Sequence, residues 1–147
     1  MTALYNTAIL RLAANIPHHG RLESPHASVQ RTSPVCGSRV TADVTLDAEG
    51  RIADFAHEVR ACALGQASAA VLARAIVGET AEGIAATHDA LAHWLKNGGE
   101  PPASHPDLAL FEPARAHKGR HASILLPWAT AAEAAREAAA LNAGVGG

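Results

Sequence analysis

An α+β domain, a three-stranded antiparallel sheet with four or five helices packed mainly on one face, is predicted by three features of the sequence. First, Arg39 to Asp47 alternate strictly, with Val40, Ala42, Val44 and Leu46 on one side and Arg39, Thr41, Asp43, Thr45 and Asp47 on the other. That is the period of a half-buried strand. Second, Ala48-Glu49-Gly50 offers a short turn into Arg51–Arg60, where Ile52, Phe55 and Val59 resume the pattern, so the two runs form a hairpin. Third, the segments before and after this hairpin carry apolar residues at helical spacing.

Taken in order, Leu4, Tyr5, Ala8, Ile9, Leu12 and Ile16 define an amphipathic first helix that Pro17 ends, its stripe expected on the sheet. His18-His19-Gly20 reads as a solvated turn. Ser24 to Ser33, bracketed by Pro25 and Pro34, suits an edge strand. After the hairpin, Leu64, Ala67, Ser68, Val71, Leu72, Ala75 and Ile76 form one face of a helix that Gly78 stops. A third helix spans Thr80 to Lys96, capped by Thr80 and closed by Asn97-Gly98-Gly99, with Ile84, Leu91, Trp94 and Leu95 inward and His88 and His93 on the surface. A proline-rich connector leads to Leu108, Leu110 and Phe111, a short docking helix that Pro113 ends. The last helix is expected to begin between Ser123 and Pro127 and to run through Thr130–Leu141. Residues 143–147 read as a frayed tail on a single domain of residues 1–147.

Charge and hydropathy exclude several classes. Twelve Lys+Arg nearly balance fourteen Asp+Glu, which leaves no basic footprint for nucleic acid. No apolar run approaches the roughly 18 residues of a membrane span, and the N-terminus lacks the layout of a secretory signal. The expectation is therefore a cytoplasmic protein with neither membrane nor nucleic acid as partner.

The chemistry concentrates on two cysteines. If Asp47 faces Arg51, the same register sets Cys36 opposite Cys62, with roughly 5 Å between Cβ atoms, subject to a shift of a residue or so at any bulge. Cys62 also opens a helix, where unpaired N–H groups and the dipole favour negative charge. In a reducing compartment two close thiols serve as ligands or reactive groups more often than as a permanent bridge, and an inert buried pair is the alternative.

The order of these features resembles a known family. A Leu4-Tyr5 helix, then Pro34-Val35-Cys36-Gly37, a hairpin, Cys62-Ala63-Leu64-Gly65-Gln66-Ala67-Ser68-Ala69 and a late His121-Ala122-Ser123-Ile124-Leu125 resemble the U-type scaffolds of iron–sulfur cluster assembly, the IscU, SufU and NifU N-terminal proteins. The likeness runs from about Leu4 to Ala140. It implies a non-enzymatic scaffold that receives sulfur from a cysteine desulfurase, holds iron or an Fe–S cluster, and serves acceptor apoproteins. In that family three cysteines and an aspartate surround the site. Cys36 and Cys62 match two of them. Ser38 stands where the family has Asp, and the third Cys position falls on Ala122, or on Ser123 if Pro127-Trp128 sets the alignment. His121 matches a histidine able to ligate metal, which gives a set of Cys36, Cys62 and His121 with Ser38 and Ser123 as neighbouring donors. Thiolate and imidazole suit zinc as well as iron, so a zinc-dependent sulfur acceptor is the alternative, disfavoured by the direct link Val77-Gly78-Glu79-Thr80 where that branch carries an insertion. A degenerate paralogue with a binding role is the third reading.

Overall fold

The computed structural model describes residues 5–34 and 37–146, with side chains up to residue 141. Three strands, β1 (Ala27–Thr32), β2 (Arg39–Leu46) and β3 (Ile52–Arg60), form an antiparallel sheet in the order β1-β2-β3. Four α-helices follow the sequence pattern: α1 (Thr7–Ala14), α2 (Ala63–Ala75), α3 (Ala81–Asn97) and α4 (His121–Gly146), with a 3₁₀ segment at Pro106–Ala116 before α4. Leu4, Val35 and Cys36 lie outside the described residues.

The hairpin turn forms as its sequence requires. Asp47 N–H donates to the Arg51 carbonyl at 2.8 Å, and the Asp47 carboxylate accepts from the N–H groups of Glu49 and Arg51 at 2.9 and 3.0 Å. Gly50 takes a φ of 81°, which a side chain rarely tolerates. Leu46 faces Ile52, but an irregularity between Thr45 and Leu46 moves the rest of the ladder by one residue, so that Arg39 faces Arg60. This is the shift of a residue that a bulge was expected to bring, and the ladder ends at Arg39 and Arg60, short of both cysteines.

The inner face of the sheet carries Ala27 and Val29, Val40, Ala42 and Val44, and Phe55, His57 and Val59, and α4 covers its β1–β2 side. The outer face is also shielded at its centre, contrary to the half-buried strand expected. Asp43 is fully buried there, because Arg21 Nε at 2.7 Å, Leu22 N–H at 3.0 Å and Ser28 Oγ at 2.6 Å all donate to its carboxylate. Burial alone would raise the Asp43 pKa, but these donors and the Arg21 charge outweigh it and hold the carboxyl below its ordinary value.

Helix α1 is shorter than its apolar pattern. Asn6 caps it by accepting from Ile9 N–H at 2.9 Å, and Asn15 closes it two residues before Pro17. It packs chiefly on α2, where the sequence suggested the sheet. Helix α2 is the centre of the molecule: Leu64 to Ala73 are buried except for Gln66, so it has no solvent face over three turns, whereas the sequence shows a single apolar stripe. Alanine and serine make this burial feasible, since small side chains let α1 and α4 approach from two sides. Helix α3, capped by Thr80, packs on α4. The 3₁₀ segment continues through Pro113 to Ala116 and buries Leu108, Phe111 and Ala114. Helix α4 starts two residues before Ser123, takes Pro127 into its interior, and has helical backbone to Gly146.

The outer edge of β3 is paired in two places by segments that are not strands. His57 N–H donates to the His18 carbonyl at 3.1 Å and the His57 carbonyl accepts from Gly20 N–H at 2.9 Å. At the other end, Ile52 N–H donates to the Glu79 carbonyl at 2.9 Å and its carbonyl accepts from Gly78 N–H at 2.8 Å. His18 and His19 are exposed, as a solvated turn requires, yet the backbone of that turn is tied to the sheet.

Candidate functional site

Three chain ends meet at one end of the molecule: the entry to β2, the first turn of α2 and the first turn of α4. Ser38 Oγ, just before β2, lies 3.4 Å from Ser123 Oγ on α4, and both residues are buried. Gly65 on α2 faces the same point. A Cβ there would come 2.7 Å from Ala61 Cβ, where something must shift, and 3.2 Å from the Ser123 carbonyl oxygen of α4, a tight contact, so glycine suits the approach of α2 to α4. One turn further on, Ser68 Oγ donates to the Ile124 carbonyl at 2.6 Å and accepts from Trp128 Nε1 at 3.0 Å. Ser68 of the Gln-Ala-Ser run thus fastens α2 to α4. Pro127 has no N–H to offer the Ser123 carbonyl, which leaves that oxygen turned toward Gly65.

Cys62 is the N-cap of α2, with extended backbone at φ −66° and ψ 171°, and is half-buried. Its side chain makes no capping hydrogen bond. His121 is the first residue of α4 and also half-buried; its Nε2 lies 2.9 Å from the Arg115 carbonyl oxygen. A carbonyl only accepts, so Nε2 carries the proton and Nδ1 keeps the lone pair with which a neutral imidazole binds metal. Cys36 belongs to the residues not described, and its expected approach to Cys62 lies outside them. Among the described residues no group of three or more His, Cys, Asp or Glu is placed to hold a metal ion.

Of the two positions where the family's third cysteine falls, Ser123 is the one whose side chain meets Ser38; Ala122 beside it is half-buried. The side chains that head the elements at this corner are thus thiol, imidazole and hydroxyl. Thiolate and imidazole fit iron or zinc, whereas neutral hydroxyls are poor ligands for either. His93 is exposed and His88 half-buried on α3, away from this corner. Sequence reasoning missed Arg115, because its tie to His121 runs through a main-chain oxygen, and it missed the close helix crossing at Gly65. The crossing had a signal, the small residues Gly65 and Ser68 three apart on one helix face.

Residues 4–114 match the family model of the NifU-like N terminal domain. An iron-sulfur cluster assembly scaffold protein IscU from Streptococcus pyogenes serotype M1 is 30% identical over 100 residues, which is 68% of this chain and 61% of that protein's length. Among solved structures, a nitrogen-fixing NifU-like protein (N-terminal) from Brucella abortus is 43% identical, with a TM-score of 0.86 over 92% of this chain and 94% of that one. FiSufU from Fervidobacterium islandicum AW-1, assigned as an iron-sulfur cluster assembly scaffold for the SUF system, is 26% identical, with a TM-score of 0.77 over 90% and 96% of the two chains. A family match across three-quarters of the sequence, with the same fold in relatives from several bacteria, makes this chain a member of the NifU-like N-terminal domain family, the family of IscU and SufU.

Proposed function

We propose that the chain is a scaffold of iron–sulfur cluster assembly that holds iron or a nascent cluster through Cys36, Cys62 and His121. It works in the cytoplasm without catalysing a reaction of its own, takes sulfur from a cysteine desulfurase, and passes its cargo to acceptor apoproteins. The observation that carries this reading is the junction of β2, α2 and α4, where the N-cap Cys62 and the leading residue His121 stand on two helices fastened together by Gly65, Ser68 and Trp128. Ser38 and Ser123 act as neighbouring hydrogen-bond donors in place of the family's aspartate and third cysteine. With three protein ligands one coordination position is left to sulfide, water or a partner's side chain, which suits a carrier that must release what it holds.

The test is metal and sulfide analysis of protein purified without oxygen. Iron together with acid-labile sulfide is the expected result. Zinc without sulfide supports the sulfur-acceptor reading, and metal-free protein that takes up neither supports the degenerate paralogue. Replacing His121 with Ala is expected to lower metal occupancy, while the same change at His18, His19, His88 or His93 leaves it unaltered. Unchanged occupancy in His121→Ala removes the histidine from the ligand set.

A further inference from the structure

We propose that Arg115 is a positioning residue for this site: it fixes the carbonyl that holds His121 in the Nε2–H tautomer, so that Nδ1 is the atom offered to the metal. The inference rests on His121 being a ligand, and it adds which nitrogen binds and what makes that choice.

The geometry is a chain of short contacts from the C-terminal end of α3 to the first residue of α4. The Arg115 side chain is anchored at several points. Its Nε donates to the Trp94 carbonyl at 3.0 Å, its Nη1 donates to the Glu112 carboxylate at 2.8 Å, and its guanidinium lies over the Trp94 ring, 5.7 Å from the centroid. The Trp94 carbonyl also accepts from Gly98 N–H at 2.9 Å, so Arg115 is bound to the capped last turn of α3, where the helix dipole favours a cation. The guanidinium lies directly over Gly98, where a Cβ would sit 2.6 Å from one of its nitrogens and push that end of the side chain aside.

These anchors brace the 3₁₀ turn whose backbone carries the Arg115 carbonyl. That main-chain oxygen is therefore a fixed acceptor, and it receives the proton on His121 Nε2 at 2.9 Å. A metal-binding imidazole is commonly oriented by a carbonyl or carboxylate on its second nitrogen, and loss of such a partner typically lowers metal affinity by about 10- to 100-fold. A lysine at 115 would keep the charge but lose the planar fork that reaches Trp94 and Glu112 together.

The test is long-range ¹H–¹⁵N correlation of the histidine rings in metal-free full-length protein at pH 8, paired with zinc affinity measured by competition with a chromophoric chelator. Wild type is expected to show His121 as the Nε2–H tautomer. Arg115→Gln leaves the main-chain carbonyl in place but frees the turn that carries it, and it is expected to erode that preference and to weaken zinc binding by up to about 10-fold, the low end of what loss of the orienting partner itself costs, with Arg115→Lys between. An Nδ1–H tautomer in wild type overturns the proposal, as does an Arg115→Gln protein that keeps both tautomer and affinity. Should Arg115→Gln fail to fold, the wild-type spectrum and Arg115→Lys decide. His121→Ala separates the two ideas. If it leaves zinc affinity intact, the ligand assignment fails, while the ring spectra still judge whether Arg115 sets the tautomer.

Discussion

Asp43 and His57 show what alternation along a strand reveals and what it conceals. The pattern from Arg39 to Asp47 identifies the inner face residue by residue, yet it assigns Asp43 to solvent, because nothing in that stretch announces that Arg21, twenty-two positions earlier, lies over it. Replacing Asp43 with Asn removes a charge from three donors at once and is expected to cost about 1.5–3 kcal/mol in urea-unfolding stability. His57 is buried, its Nε2–H donating to the Pro17 carbonyl at 2.9 Å, and its pKa is lowered to about 4, chiefly by burial and further by the neighbouring histidines. The unfolded chain, with a histidine pKa near 6.5, takes up this proton first, so stability contributed above that pH is lost as pH falls from about 6.5 toward 4. The Asp43 carboxylate, held low, adds its own loss only below its unfolded value of about 4. A His57→Leu variant is expected to flatten the first of these two steps in a stability–pH profile and to leave the second.

At the scale of the elements, boundaries that a residue type enforces were legible, and those set by tertiary contact were not. Thr80 and Gly98 bound α3 as their chemistry demands, and Asp47 with Gly50 builds the expected turn. The bulge beside Leu46 left no such mark, and it shifts the pairing by one residue from Thr45 and Asp54 out to Arg39 and Arg60. The site was legible to the same extent. Motifs named Cys36, Cys62 and His121 as candidates, but the contact between Ser38 and Ser123 depends on how α2 and α4 cross, and Gly65 lies against that crossing. Gly65→Ala should gain about 1 kcal/mol in helix propensity and lose more, about 1–3 kcal/mol, because two of the atoms it meets are fixed by backbone or a neighbouring helix turn. The expected net result is a lower urea midpoint with a changed Trp128 emission, since the Ser68–Trp128 bond spans the same crossing. A midpoint at or above wild type would show that the two helices separate without strain.

For the molecule as a whole, α2 explains why so little aromatic content suffices. A helix of small residues buried on all sides lets α1 and α4 close around it, and the two large rings, Trp94 and Trp128, fill the space beyond. The backbone bonds that His18, Gly20, Gly78 and Glu79 make to β3 have a further consequence, which concerns how copies of the protein behave toward one another. An open strand edge is a template on which another chain's strand can add. These bonds occupy the edge of β3 at Ile52 and His57, so β1 is left as the side from which the sheet can grow. Beside this clamp the buried His57 ring donates to the Pro17 carbonyl, and a proton added at its unpartnered Nδ1 would keep that bond but place a charge in the interior under the edge. Mild acid is therefore expected to produce association before complete unfolding, visible as light scattering that rises between about pH 6 and 4 while helical circular dichroism persists, and in His57→Leu, which cannot take up the proton, the scattering should lose this pH step.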